Sequence, residues 1–213
     1  MDVRDSAGPT GRRAEYAQAT RNAILSAARD LFTEKGYFAT RADEIAHKAR
    51  VSPTTVYAVG GGKHGLLRTL IHEGATAEDT PQIIETIKSI DEPEALIRYL
   101  VHTTRVKFDQ WSGLMRQVTA AAAQDPAVHE SLEIAHGRLR DGLALGAHQL
   151  AQVGALREGM DADGATDVLW FYLCNAAYFI RTDDLGWPPE GSETWLTQAL
   201  LFALLGHVPA SRR

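Results

Sequence analysis

A chain of 213 residues, 45% hydrophobic and 23% charged, is long enough to bury a core as one large or two small domains, and its single cysteine excludes an intrachain disulfide framework. Residues 1–13 lack the apolar centre of a secretory signal, and the longest apolar run, 168–180, is interrupted by Asn175 and falls short of the roughly 20 residues a membrane span needs, so a soluble cytoplasmic protein with no membrane partner is expected. The net charge of −5 divides sharply, with residues 1–68 carrying 11 basic and 7 acidic side chains, net +4, and residues 69–213 carrying 11 and 20, net −9, so a polyanion is drawn to the first segment and repelled by the second.

In chain order, residues 1–13 show no apolar period and are expected to form a disordered basic arm with Arg4, Arg12 and Arg13. From about Ala14 the pattern is helical: Ile24, Ala27, Ala28, Leu31 and Phe32 make one stripe, which Gly36 ends. Thr40 is placed to cap a second helix whose apolar side is Ile45, Ala46 and Ala49. After Arg50-Val51, Ser52-Pro53 supplies a cap and a proline at the first helical position, starting a short third helix that ends at Gly60-Gly61-Gly62. A fourth helix begins at Lys63. Further on, Thr80-Pro81, Glu92-Pro93 and Asp125-Pro126 mark helix starts, and helices are expected near 93–109, 111–124, 126–152, 162–182 and 191–206. No strand alternation occurs, so the predicted fold is all-α.

The run Gly60-Gly61-Gly62-Lys63 invites a phosphate-loop reading, which fails on its own rules. The pattern G-x-x-x-x-G-K-[ST] puts its first glycine where this chain has Tyr57 and its metal-binding hydroxyl where it has His64. No nucleotide or other cofactor is expected. The three helices between 24 and 59 read instead as a helix-turn-helix, in which the third helix enters a DNA major groove. Its Thr54 and Thr55 can hydrogen-bond base edges or phosphates, Tyr57 offers a hydroxyl to a phosphate oxygen, and Val56 faces inward.

The segment from Arg21 to Leu67 resembles the DNA-binding domain of the tetracycline-repressor-like (TetR) family of bacterial regulators. The stripe of Ile24-Leu25, Ala27-Ala28 and Leu31-Phe32 carries the resemblance, with Gly36-Tyr37, Thr40, Ile45-Ala46, Ala49, Val51-Ser52, Val56-Tyr57, Lys63 and Leu66-Leu67. It implies an N-terminal three-helix DNA-binding domain at 14–62 and a C-terminal helical domain at 63–213 for ligand binding and dimerisation. It further implies a homodimer on a palindromic double-stranded operator, repression relieved by a small-molecule effector, and DNA contacts from Thr40, Arg41, Thr54, Thr55, Tyr57 and Lys63. The chain departs from the family pattern at Arg50, which stands where a glycine usually turns the chain, and it either contacts a phosphate or is a tolerated surface arginine. It departs again at Arg41, where the family has a small hydroxyl residue, and in the glycine run, one residue longer before the lysine.

Lys63 and the free N–H groups at the start of the fourth helix are expected to meet a phosphate, with the glycines as a hinge. In the second domain Trp111, Met115, Trp170, Asn175 and Tyr178 are candidates for an effector pocket, Asn175 because an amide on so apolar a helix needs a partner. Two stretches near the C-terminus, VLWFYLCNAAYFI and WLTQALLFALL, are apolar nearly all round and point to burial against a second copy of the chain. The competing readings are a helical metalloenzyme, since E-x-x-H occurs at Glu44/His47 and Glu133/His136, and a helical interaction protein that has lost operator binding. Neither H-E-x-x-H nor G-x-S-x-G is complete, so the expectation is a non-enzyme with no metal.

Overall fold

The computed structural model describes residues 9–75 and 80–205, and every regular element among them is helical. The helices are α1 (Pro9–Lys35), α2 (Ala42–Ala49), α3 (Pro53–Gly60), α4 (Lys63–Ala75), α5 (Thr80–Ser89), α6 (Pro93–Ala122), α7 (Pro126–Gln152), α8 (Ala162–Leu173), α9 (Asn175–Phe179) and α10 (Pro189–Leu205), with a π-helical turn at Ile180–Asp184. The chain divides into two compact units, residues 1–73 with 116–132, and residues 74–115 with 133–213. The first unit thus takes in α4 and the corner between α6 and α7, beyond the expected 14–62.

Local chemistry explains where most helices begin. Pro53, Pro93 and Pro126 each open a helix, where a missing N–H leaves nothing unsatisfied. The preceding side chains accept the freed amides: Ser52 Oγ from Thr55 N at 3.2 Å, Glu92 Oε1 from Glu94 N at 3.1 Å, and Asp125 Oδ1 from Ala127 N at 3.0 Å. Asp161 does the same for α8, accepting from Gly164 N at 2.9 Å.

Three expectations are corrected. Residues 9–13 belong to α1 rather than to a disordered arm, while Arg4 lies outside the described residues. The helices expected at 93–109 and 111–124 are one helix, α6, because nothing between Asp109 and Trp111 breaks it. The helix expected at 162–182 stops at Leu173, since Cys174 takes an extended backbone (φ −73°, ψ 164°), and resumes as α9 and the π-turn.

In the first unit Ile24, Ala28, Phe32, Ile45, Val56 and Leu67 are almost wholly buried, so the stripe on α1 packs on α2 and α3 as its spacing requires. Ion pairs from Lys35 to Glu44 (2.6 Å) and from Lys48 to Asp30 (2.9 Å) also bridge α1 and α2. Burial of the apolar side chains supplies most of the stability, because exposed pairs of this kind contribute about 0–1 kcal/mol each. The second unit is built on Leu96, Ile97, Leu150, Leu169, Leu173 and Leu200, all buried. Within it α6 and α7 approach so closely that a Cβ at Gly146 would lie 2.5 Å from Leu100.

Candidate nucleic-acid interface and effector cavity

The turn between α2 and α3 is closed by backbone geometry. Arg50 sits in the left-handed region at φ 56° and ψ 42°, and its amide and that of Val51 bond back to the carbonyls of His47 (3.2 Å) and Ala46 (3.0 Å). A glycine adopts this conformation without strain; an arginine holds it at a cost of about 1–2 kcal/mol. The arginine side chain is exposed. Ser52 then caps α3, its hydroxyl also 2.8 Å from that of Thr55.

With Val56 fully buried and anchoring α3, its opposite face presents Pro53, Thr54, Tyr57 and Ala58 to solvent. Tyr57 is 59% exposed, and the short residues around it let the helix backbone approach a groove closely. Arg41 and Arg50 are exposed at the two ends of α2. Thr55 is half-buried, its hydroxyl engaged in the cap, which leaves Thr54 and Tyr57 as the freer polar groups of α3.

Thr40 and Lys63 differ from expectation. The cap of α2 is Arg41, whose amide donates to Glu44 Oε2 at 3.0 Å. Thr40 is 1% exposed, and its hydroxyl donates to the carbonyls of Gly36 (2.8 Å) and Leu31 (3.2 Å), tying the end of α1 to the start of α2. Lys63 turns inward as well: its Nζ donates to the carbonyls of Tyr37 (2.9 Å) and Phe38 (3.4 Å) and lies 4.4 Å from the centroid of the Tyr37 ring. Burial pushes the Lys63 pKa down, against the pull of nearby Asp125. Burial raises Tyr37, and the charge and hydrogen bond of Asp125 add to the rise. Lys63, Tyr37 and Asp125 therefore brace the α1–α2 turn within the first unit.

The glycines next to Lys63 are set by geometry. Gly61 and Gly62 have φ of 65° and 86°, and a Cβ on Gly65 would lie 1.8 Å from the Gly60 carbonyl oxygen. Close approach of α3 and α4 explains the run without invoking a hinge.

The second unit holds a small cavity lined by α6, the end of α8, α9, the π-turn and α10, with room for about one water molecule. Of the five sequence candidates only Tyr178 lines it, its hydroxyl donating to Asp109 Oδ1 at 3.1 Å. Trp170 packs edge-on against His136 at 5.4 Å, Trp111 covers Gly74, Met115 is core, and Asn175 is buried at the break after Cys174. Sequence reasoning missed the polar lining: Thr104, Arg105, Arg181, Ser192 and Glu193. The signal available was Arg181 placed directly after the long apolar run.

Residues 24–70, which hold this interface, match the family of bacterial regulatory proteins, tetR family. The transcriptional regulator UidR of Escherichia coli K12 is 27% identical over 172 residues, covering 79% of this chain and 85% of UidR. Residues 24–70 are thus a tetR-family DNA-binding domain. NalD, the secondary repressor of the MexAB-OprM efflux pump of Pseudomonas aeruginosa, shares the fold with a TM-score of 0.68 at 21% identity, over 89% of this chain and 98% of NalD. A transcriptional regulator of Saccharomonospora viridis, solved in complex with choline, gives a TM-score of 0.71 at 18% identity, over 87% and 97%. With that domain and with transcriptional regulators as relatives along most of its length, the chain is a helix-turn-helix transcriptional regulator that binds DNA, and not an enzyme. Among the described residues no cluster of His, Cys, Asp or Glu has the arrangement of a metal site, and no helix is long and apolar enough to cross a membrane.

Proposed function

We propose that this chain acts in the cytoplasm as a homodimeric repressor that leaves a palindromic operator when a small molecule occupies its second unit. The exposed face of α3, anchored by Val56 and capped by Ser52 in a segment of net charge +4, carries the reading. Thr54 serves as the base-reading group, Tyr57, Arg41 and Arg50 as phosphate contacts, and Thr40 and Lys63 as the braces that hold the unit in register.

Dimerisation is supported by what α8 and α10 leave uncovered. Phe171 is 71% exposed, Phe202 58% and Trp195 45%, while Leu169, Leu173, Leu200 and Leu204 on the same helices fill the core. Aromatic side chains at such exposure gain by meeting a second copy, and a two-fold sets two α3 helices on successive turns of DNA, about 34–36 Å apart or a multiple of that. The choline complex of the related fold supports a small-molecule effector. Helix α6 runs unbroken from the cavity wall at Val101–Phe108 to the segment 116–122 of the first unit, which gives an effector a covalent route to the reader.

Replacing Phe202 by glutamate tests the arrangement. The variant should keep its helical circular dichroism, sediment as a lone subunit and bind a paired operator at least tenfold more weakly; unchanged sedimentation and unchanged binding contradict the proposed interface.

A further inference from the structure

Arg181 is 7% exposed, on the wall of the cavity. Its Nε donates to Ser192 Oγ and its Nη1 to the Tyr172 carbonyl, both at 2.9 Å and both neutral acceptors. A guanidinium carries five donors and keeps its charge, so two neutral bonds leave three donors and a positive charge that no carboxylate matches. No carboxylate among the described residues pairs with it. A buried cation without a counter-ion is an expensive arrangement.

The other arginine of the lining is in the opposite situation. Arg105 pairs with Glu193 through Nε and with Asp109 through Nη1 at 2.6 Å, while His102 Nδ1 lies 3.0 Å from Glu193. One cation of the cavity is therefore matched by two carboxylates and the other by none. Arg181 also rides on the π-turn at Ile180–Asp184, an irregularity that often marks functional positions in helices. Apart from Thr104 and Ser192 the remaining wall is largely apolar, with Phe108 and Tyr178 forming an edge-to-face corner at 5.0 Å beside Leu173 and Leu196.

We propose that this cavity is a ligand site selective for a small molecule with a single carboxylate on an apolar, ring-sized body, the carboxylate held by Arg181 and the ring by the Phe108–Tyr178 corner. The inference deepens the effector reading above and rests on it for the consequence at DNA. One uncompensated cation calls for one negative charge, and a dianionic phosphate brings more than the site can match, because Arg105 is already engaged. Burial lowers the Arg181 pKa, against the opposing influence of Cys174 and Tyr178, as expected for a cation held without an acid. The cavity admits about one water as it stands, so a ring enters only as the wall opens, with Arg105 still paired to Glu193 and Asp109.

The test uses full-length protein and four probes of matched body, 3-phenylpropionate, its amide, 3-phenylpropylamine and phenethyl phosphate, read by calorimetry and thermal shift. The carboxylate should bind at least tenfold tighter than the other three. Arg181→Met should weaken it by about tenfold to a hundredfold, the worth of a charge-assisted bond, and leave the amide unchanged. Arg181→Lys should keep part of the preference. If the methionine variant fails to fold, the preference of the unaltered protein decides alone. Equal binding of amide, amine or phosphate, undiminished carboxylate binding by Arg181→Met, or no binding of any probe overturns the proposal. Carboxylate binding through Arg181 with no change in retention of DNA leaves the site standing and removes its role as effector site.

Discussion

Arg50 holds a backbone conformation that favours glycine, with φ at 56°, and its side chain points to solvent. Replacing it by glycine removes strain of about 1–2 kcal/mol, less what the more flexible unfolded chain gains. The net expectation is about 1 kcal/mol of added stability, a rise of a few degrees in Tm by calorimetry. A strain held without compensation has no reason to persist, so the same variant should bind duplex more weakly, with the dependence of affinity on salt reduced by about one phosphate contact. Tyr57 is tested differently. Its phenyl ring remains in Tyr57→Phe, and only the hydroxyl is lost. Binding should fall by about tenfold on every duplex alike, as for a lost bond to a charged oxygen; relaxation at a single base position contradicts the phosphate role. Thr40 and Lys63 show where reading the chain alone fell short. Both are polar residues at helix ends, where the sequence pattern points outward, but the carbonyls that claim them belong to Leu31, Gly36, Tyr37 and Phe38, and proximity of that kind is tertiary.

At the scale of elements the chain was legible wherever boundaries depend on neighbours in sequence. Ser52-Pro53, Glu92-Pro93 and Asp125-Pro126 each begin a helix because cap and proline act within one turn. The break at Cys174 and the π-turn were not legible. Nothing in VLWFYLCNAAYFI is a glycine or proline, and the interruption accompanies the burial of Arg181 against Tyr172 and Ser192. The candidate cavity was legible only at Tyr178, since aromatic residues at helical spacing look the same in a core as in a pocket. The contact between α6 and α10 on the cavity wall has a pH signature of its own. Burial raises the Glu193 pKa, but Arg105 and His102 together bring it below the ordinary carboxylate value. A carboxylate with a depressed folded pKa adds stability that is present above the unfolded value and lost as pH falls through the folded one. Glu193→Gln should therefore be less stable than the unaltered protein at neutral pH, and the gap should narrow on acidification below about pH 4.5. A gap that widens there contradicts the pairing.

Across the whole molecule, charge and exposure divide the work. The first 68 residues are net positive and the remaining 145 net negative, so attraction to DNA is confined to the segment that carries α3. The exposed aromatics fall on the other side of that division, on α8 and α10, where a second copy is proposed to sit. A reader borne by one unit and a dimer face borne by the other are what a symmetric operator demands. The tetR-family DNA-binding domain was legible from Arg21 to Leu67 because a small helix-turn-helix fixes many positions at once, while the second unit shows in sequence only as helices.

The most direct measurement is selection of bound fragments from random duplex DNA by the full-length protein, repeated across ionic strength. The account predicts enrichment of an inverted repeat with half-site centres one or more helical turns apart, and retention that falls steeply as salt rises. No enrichment at low ionic strength, or enrichment of a solitary half-site by a single subunit, contradicts it.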